Sequence, residues 1–369
     1  MTSSSASHDH AEKHRSPQID PLPLTEEPLN REPAVGLTII TSFITGEGAY
    51  DRNHGAIPDI DPNTHRVKVD GAVERELSLS VHELATSFPQ HDVDCVVQCA
   101  GNRRHTMRTW LKEVDGVGWG DAALMNCSWR GPRLRDVIQA AGVQLCQGHV
   151  AFSCFQSKTQ DDDWYGASID LTRAMNEDAD VILALERNSL PLSKNHGAPV
   201  RVVVPGVAGA RSVKWIDCIT VQREESPNVY QQRDYKVLPE NVQTMEEADK
   251  CWDTVPAIQD MPINSVIISP RSGGSVTRDQ NGTILVTGYA VPGGSDRPIV
   301  KTEAEFVDAP KRWTWCIWRV RMKVTKSSQL RIYARAVDRG GNEQSSKPRW
   351  NLRGVVYDGY GESRDVTVI

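Results

Sequence analysis

Gln98-Cys99-Ala100-Gly101-Asn102-Arg103-Arg104 places a thiol, an amide and two guanidinium groups in one short turn. The preceding apolar run, Val93 to Val97, reads as a buried strand that delivers Cys99 into that turn. Fixed positive charge favours an ionised thiol, so Cys99 is expected as a thiolate. Such a thiolate can ligate a metal or act as a nucleophile, and the two arginines would draw an anion toward it. A buried structural cysteine followed by a basic surface turn is the plainer alternative.

Three further segments carry polar chemistry. A Gly-containing loop, Gly46 to Tyr50, runs into Asp51-Arg52-Asn53-His54-Gly55. Loops of this kind carry function more often than scaffold. Lys194 to Arg201 forms a second loop, and Arg211-Ser212-Val213-Lys214 opens a later strand, so both basic sets sit where strands begin. Elsewhere the bland reading prevails. His82 belongs on a helix surface, and His8, His10 and His14 lie in a polar tail. Arg319, Arg321, Lys323 and Lys326 read as the solvated face of a strand.

The elements that must position these groups follow from the pattern. Leu37–Ile44 and Arg66–Gly71 are expected strands. Ser80 and Glu83 form a capping box that starts a helix over Val81–Phe88. A second helix is expected over Pro132–Ala141, ended by Gly142. His149–Phe155, Asp180–Glu186, Val200–Val204 and Val213–Val221 read as strands. Strands with few helices predict an α+β fold for this part. The acidic stretch Asn241–Asp253 reads as a linker. Beyond it, Ser265–Ile268, Thr283–Val291, Thr314–Val324 and Leu330–Val337 alternate with Gly turns and predict an all-β, immunoglobulin-like sandwich. The expected division is a disordered tail over 1–35, a catalytic domain over 36–242 and the sandwich over 243–369.

A chain of 369 residues with 39% hydrophobic and 24% charged residues suits two globular domains. The net charge of -6 argues against general affinity for nucleic acid or an anionic membrane. No apolar run approaches the ~20 residues that span a bilayer. The eight cysteines show no CxxC pair and no zinc spacing, and are expected to be reduced core thiols. With no secretory or transit pattern, the cytoplasm is the default compartment, with the peroxisome and the mitochondrial intermembrane space left open. Neither GxGxxG nor a P-loop occurs.

The Gln98–Arg104 segment resembles the molybdenum-ligand segment of the sulfite oxidase family, which includes the eukaryotic nitrate reductases. Arg52-Asn53-His54, Tyr165 to Ile169, His196 to Arg201, Val204-Pro205-Gly206, Gly209-Ala210-Arg211, Asp234-Tyr235-Lys236 and Trp350 to Gly354 extend the resemblance in the family's order, over roughly residues 36–358. It implies a molybdopterin domain followed by an immunoglobulin-like dimerisation domain, and hence a homodimer. It implies a molybdenum–molybdopterin cofactor with Cys99 as the metal ligand. Tyr50, Asp51, Arg52, Asn53, His54, His196, Arg201, Ser212, Val213 and Lys214 would hold the pterin and its phosphate. Arg52, Arg104, Trp119, Tyr235 and Arg353 would form the pocket for sulfite.

Nitrate reductases typically carry Met where Arg353 stands, so sulfite is preferred over nitrate or another oxyanion. No haem, FAD or NAD(P) module is read in the chain, and the electron acceptor would be oxygen or a separate protein. A metal-free binding dimer and a cysteine-nucleophile enzyme are the rival classes. Three departures from the family pattern stand out. Trp119 falls one place late. Gln156 occupies the position of an acidic pterin contact, with Asp161, Asp162 and Asp163 nearby. Tyr357-Asp358-Gly359-Tyr360 replaces an Asn-Asn-x-Trp run.

Overall fold

Alternation of Val67 and Val69 with polar residues makes Arg66–Gly71 (β3) a strand with one fully buried face. The structure, a computed structural model, describes residues 22–33, 42–294, 299–300, 304–309 and 311–369. Strand β3 sits inside a five-stranded sheet with Leu77–Ser80 (β4), His149–Cys154 (β7), Tyr165–Asp170 (β8) and Cys218–Gln222 (β13). The order is β4-β3-β13-β7-β8, with β3 and β13 parallel and the other neighbours antiparallel. Helix α1, Val81–Thr86, has the predicted capping box: Glu83 N–H donates to Ser80 Oγ, and Ser80 N–H donates to the Glu83 carboxylate. It stops two residues short of the expected Phe88. Helix α3, Leu134–Ala141, buries Leu134, Val137, Ile138 and Ala141 against this sheet and ends at Gly142 in the left-handed conformation. Pro132 belongs instead to the preceding strand.

The second sheet carries the thiol. Gln90–Gln98 (β5) pairs in antiparallel register with Leu124–Pro132 (β6), and Glu186–Arg187 (β10) and Leu190–Pro191 (β11) extend it. Between β5 and β6 runs α2, Arg104–Trp110. The expected strand at Asp180–Glu186 is split into Ile182–Ala184 (β9) and β10, and β9 pairs with Arg201–Val203 (β12). Val213–Asp217 is not strand. Trp215 takes a φ of +54°, which ends the extended path before β13 begins at Cys218.

Residues 22–33 fall within the stretch expected to be a disordered tail, and they are ordered. Leu22–Thr25 (β1) and Asn30–Glu32 (β2) form a hairpin that long-range hydrogen bonds from Arg31 to Asp51 and from Gly120 and Ala122 to Glu32 hold in place, which composition does not reveal. His8, His10 and His14 lie outside the described residues, as do positions 37–41 of the expected strand Leu37–Ile44.

The C-terminal part is a sandwich. Its antiparallel sheet orders Asn264–Ser269 (β14), Thr283–Val291 (β16), Cys316–Lys323 (β19) and Glu305–Phe306 (β18). The facing sheet joins Ser275–Val276 (β15), Gly361–Val368 (β22) and Ser327–Ala334 (β20). Arg319, Arg321, Lys323 and Lys326 are exposed, and the first two pair with Glu305 and Asp279. The expected linker Asn241–Asp253 is packed. Its Val242, Ala248 and Trp252 join Met107, Leu352 and Tyr357 in one apolar cluster, because apolar residues recur among the acids. Val96, Ala122 and Leu124 likewise share a cluster with Val266, Ile268, Tyr289, Val291 and Trp315. The two parts thus meet through core, not through a tether. All eight cysteines are free thiols.

Candidate active site

Strand β5 ends at Gln98 and presents Cys99 at the junction of two cavities. Both cavities are lined by Arg52, His54, Cys99 and Tyr235. In the turn that follows, Gly101 N–H points at Cys99 Sγ at 3.4 Å, and Arg103 adopts a φ of +67°. The expectation of a thiolate does not hold in the ligand-free protein. Burial raises the Cys99 pKa, and the opposing pull of Arg52, Arg104 and the Gly101 N–H is too weak to offset it. A metal cation held by Cys99 would supply the missing charge, since a coordinating thiol is deprotonated outright.

Arg103 and Arg104 part company after the turn. Arg103 is 2% exposed and turns away from Cys99 to donate to Asn264, Gly359 O and Tyr360 O. Only Arg104 serves the cavity. Its guanidinium lies against Gly101 and Gly116, where a Cβ would sit within 3 Å of it, and a Cβ at Gly354 would crowd its Cγ in the same way. Its Nε donates to Arg353 O and Gly354 O, and Nη1 to Val117 O. Burial, with Arg353 and Arg52 nearby, lowers its pKa to about 10, so it stays charged at neutral pH.

The first cavity, of about 750 Å³, is lined by all ten residues expected to hold a pterin: Tyr50 to His54, His196, Arg201 and Ser212 to Lys214. Asp51 anchors one wall through Arg31, at 2.5 Å, and Asn195. Lys214 Nζ donates to Arg52 O, Asn195 O and Asn53 Oδ1. Burial and the charge of Arg201 bring its pKa down to about 7, so an anion placed here would recharge it. Arg201 donates to His196 O and Ser212 O and stacks 5.0 Å over the Trp129 ring. His196 accepts or donates at Nδ1 with Ser193 Oγ, while its buried Nε2 lies 3.5 Å from Asp51 Oδ1. A buried ammonium and a buried guanidinium fit a polar, anionic group, and Cys99 Sγ at the rim fits its metal. Gln156 does not line this cavity; Ser157 and Thr159 do, and Asp51 is the one carboxylate among the lining residues. Asn195 and Tyr165 also line it, and no local pattern marks Ser157 or Thr159 beforehand.

The second cavity, of about 1220 Å³, brings Arg104 and Arg353 to Arg52, Cys99 and Tyr235. Arg353 is ion-paired with Asp234, and its Nε is buried without a partner. Asp161 lines this cavity, not the first. Trp119 lines neither cavity. It is fully buried and packs edge-on against Tyr50 at 6.2 Å, in line with its displaced spacing.

His54 ties the cavities together. Its Nδ1 faces Arg52 Nη2 at 3.2 Å and its Nε2 lies 2.7 Å from the Tyr235 hydroxyl. Burial, with Arg52 and Lys214 next, keeps its pKa well below 6.5, so the ring is neutral. Arginine can only donate, so Nδ1 accepts and the ring hydrogen sits on Nε2. The Tyr235 oxygen then accepts from His54, and its own O–H is free to face the cavity. Burial raises the Tyr235 pKa to about 12, which keeps that proton in place.

An oxidoreductase molybdopterin-binding domain model matches residues 54–230, and a Mo-co oxidoreductase dimerisation domain model matches 255–305 and 297–362. The chain is 34% identical over 365 residues to the sulfite oxidase of Arabidopsis thaliana, covering 90% of both chains. The chain belongs to the sulfite oxidase family. Within this sulfite oxidase family it is 39% identical over 359 residues to the enzyme of Gallus gallus, covering 90% of this chain and 75% of that one. It is 40% identical over 353 residues to the mitochondrial sulfite oxidase of Homo sapiens. It spans 90% of itself but 63% of that human relative. The fold is shared with the sulfane dehydrogenase SoxCD from Paracoccus pantotrophus, at a TM-score of 0.76 and 20% identity, over 99% of this chain and 96% of that one. Among the described residues no helix is long and apolar enough to cross a membrane.

Proposed function

We propose that this chain is a molybdenum oxidoreductase that converts sulfite to sulfate. The observation that carries the reading is the second cavity, where Arg52, Arg104 and Arg353 come from three distant segments to one space beside Cys99 and Tyr235. Bidentate cations of this kind suit a small oxyanion. The bound molybdenum–molybdopterin would supply two-electron redox and oxygen-transfer chemistry at Cys99. Tyr50 to His54, His196, Arg201 and Ser212 to Lys214 would hold the pterin and its phosphate.

The side chains then have distinct tasks. Arg52, Arg104 and Arg353 bind sulfite and orient its sulfur toward the Cys99 end of the cavity. They also hold the charge that sulfate keeps as it leaves. Tyr235 presents its O–H to an oxygen of the anion, and the Nε2–H of His54 fixes that hydroxyl from behind. Trp119 supports Tyr50 from outside the cavities. Electrons pass to oxygen or to a separate carrier. The C-terminal sandwich, from about residue 243, pairs with a second copy, as the name of the matching domain model suggests.

The test is sulfite-dependent reduction of an artificial acceptor, with molybdenum measured on the same sample and Cys99→Ser alongside. Turnover that tracks metal and disappears with Cys99 is expected. Metal-loaded protein that ignores sulfite but oxidises a reduced dye with nitrate would establish the nitrate-reducing alternative.

A further inference from the structure

Strand β2 lies in the stretch that composition assigns to a disordered tail, yet Asn30 is 1% exposed and every polar atom of its side chain is engaged. Asn30 Nδ2 donates to Thr25 Oγ1 at 2.8 Å and to Pro28 O at 3.0 Å. Its Oδ1 accepts from Arg52 Nη1 and from Asn53 N–H, both at 3.1 Å. The orientation of the amide is thereby determined, because a flip would set an NH2 group against two donors. On the other side of the contact, Arg52 Nη1 also donates to Asn53 O, and Nη2 faces His54 Nδ1. Nε and one hydrogen on Nη2 remain for the cavity.

We propose that Asn30 is a positioning residue that aims the Arg52 guanidinium at the substrate oxyanion. The role rests on the oxyanion reading given above. Without the Asn30 oxygen, Nη1 is held by one carbonyl and the Asn53 N–H is orphaned, so the guanidinium can rotate about its last bonds. The free donors then no longer converge with Arg104 and Arg353. The neighbouring residues of β2 brace the same loops. Arg31 pairs with Asp51 in side chain and backbone, and the Glu32 carboxylate accepts from Gly120 N–H and Ala122 N–H.

The experiment compares the cofactor-loaded parent with Asn30→Leu, Asn30→Asp and Leu84→Ala. Leu84 is a buried core residue of α1 remote from the site and controls for lost stability. Sulfite kinetics are measured, and inorganic sulfate binding is followed by calorimetry on the same samples. Asn30→Leu is expected to raise the sulfate Kd and the sulfite KM about tenfold, with kcat within about twofold of the parent. Asn30→Asp is of the same size and remains informative if the leucine variant does not accumulate. Its carboxylate still accepts from Arg52 Nη1 but sets a negative charge beside the oxyanion, so a rise in both constants is expected there too. Leu84→Ala should melt earlier with an unaltered Kd. Parent-like Kd and KM in both Asn30 variants would overturn the assignment, as would an equal rise in Leu84→Ala. A parent that neither oxidises sulfite nor binds sulfate takes down the oxyanion reading and this role with it.

Discussion

His54 shows how much one buried side chain settles. Donors and acceptors around it leave one tautomer, and that tautomer decides which way the Tyr235 proton points. Tyr235→Phe removes that proton and leaves the His54 N–H without an acceptor. A fall in kcat of about a hundredfold is expected, with a smaller change in sulfite KM, and steady-state kinetics on metal-matched samples would check it. The same burial has a consequence for pH. His54 and His196 are both held well below 6.5, each mainly by desolvation with nearby cations second. In the unfolded chain they take up protons near 6.5, so below that pH the unfolded state binds more protons than the folded one. Their contribution therefore makes the cofactor-free protein lose stability as the pH falls through about 6.5, and the loss continues down to the folded values. Chemical unfolding between pH 7.5 and 5.5 should show a falling free energy, and a double His54→Gln, His196→Gln variant should show a shallower slope.

At the scale of elements, the segment from Asn241 to Thr254 is the sharpest test of packing against composition. Trp252 is 4% exposed, donates from its indole to Asp249, and its carbonyl takes the Lys236 ammonium at 2.6 Å. Trp252→Ala is expected to cost about 3 to 5 kcal/mol, read from denaturant unfolding, whereas a tether would lose almost nothing. The charge-rich sequence around it conceals this, because its few apolar residues find partners about a hundred positions away, at Met107 on one side and at Leu352 and Tyr357 on the other. Local chemistry was far more legible. The Ser80–Glu83 box, the Gly142 stop and the Cys99 turn are each determined within a few residues, and each lies where the pattern puts it. Asn30 and Glu32 were illegible for the opposite reason: their hydrogen bonds reach over twenty to ninety positions. The protonation of Cys99 was misjudged because a sequence shows neighbouring charge but not the desolvation that outweighs it. Trp119 was misplaced because its type matched while its spacing did not.

Across the whole molecule, the arginine-lined second cavity exists because the two parts are held in register, with Arg353 contributed by the C-terminal part and Arg52 and Arg104 by the first. Four apolar clusters cross the boundary, one of them joining Ala100 and Tyr235 to Met261 and Val355. Arg103 adds a polar bolt beside the thiol turn. It reaches Asn264, Gly359 O and Tyr360 O, and its guanidinium lies 4.6 Å from the centre of the Tyr357 ring. Its neighbour Arg104 holds Arg353 O and Gly354 O from the same turn, so displacement of one arginine is felt by the other. Arg103→Ala leaves Asn264 Oδ1 and Tyr360 O without that donor, while Gly359 O keeps the one from Gln344, and should lower the unfolding free energy on the order of 3 kcal/mol. Arg103→Lys should recover less than half of that, because one ammonium lacks the planar fork that meets separated carbonyls. Apart from the Tyr357 ring the shared clusters are untouched by either change, so calorimetry should show a single transition moved to lower temperature. A transition that splits in two in Arg103→Ala would mean that Arg103, and not the apolar contact, is what makes the two parts unfold together.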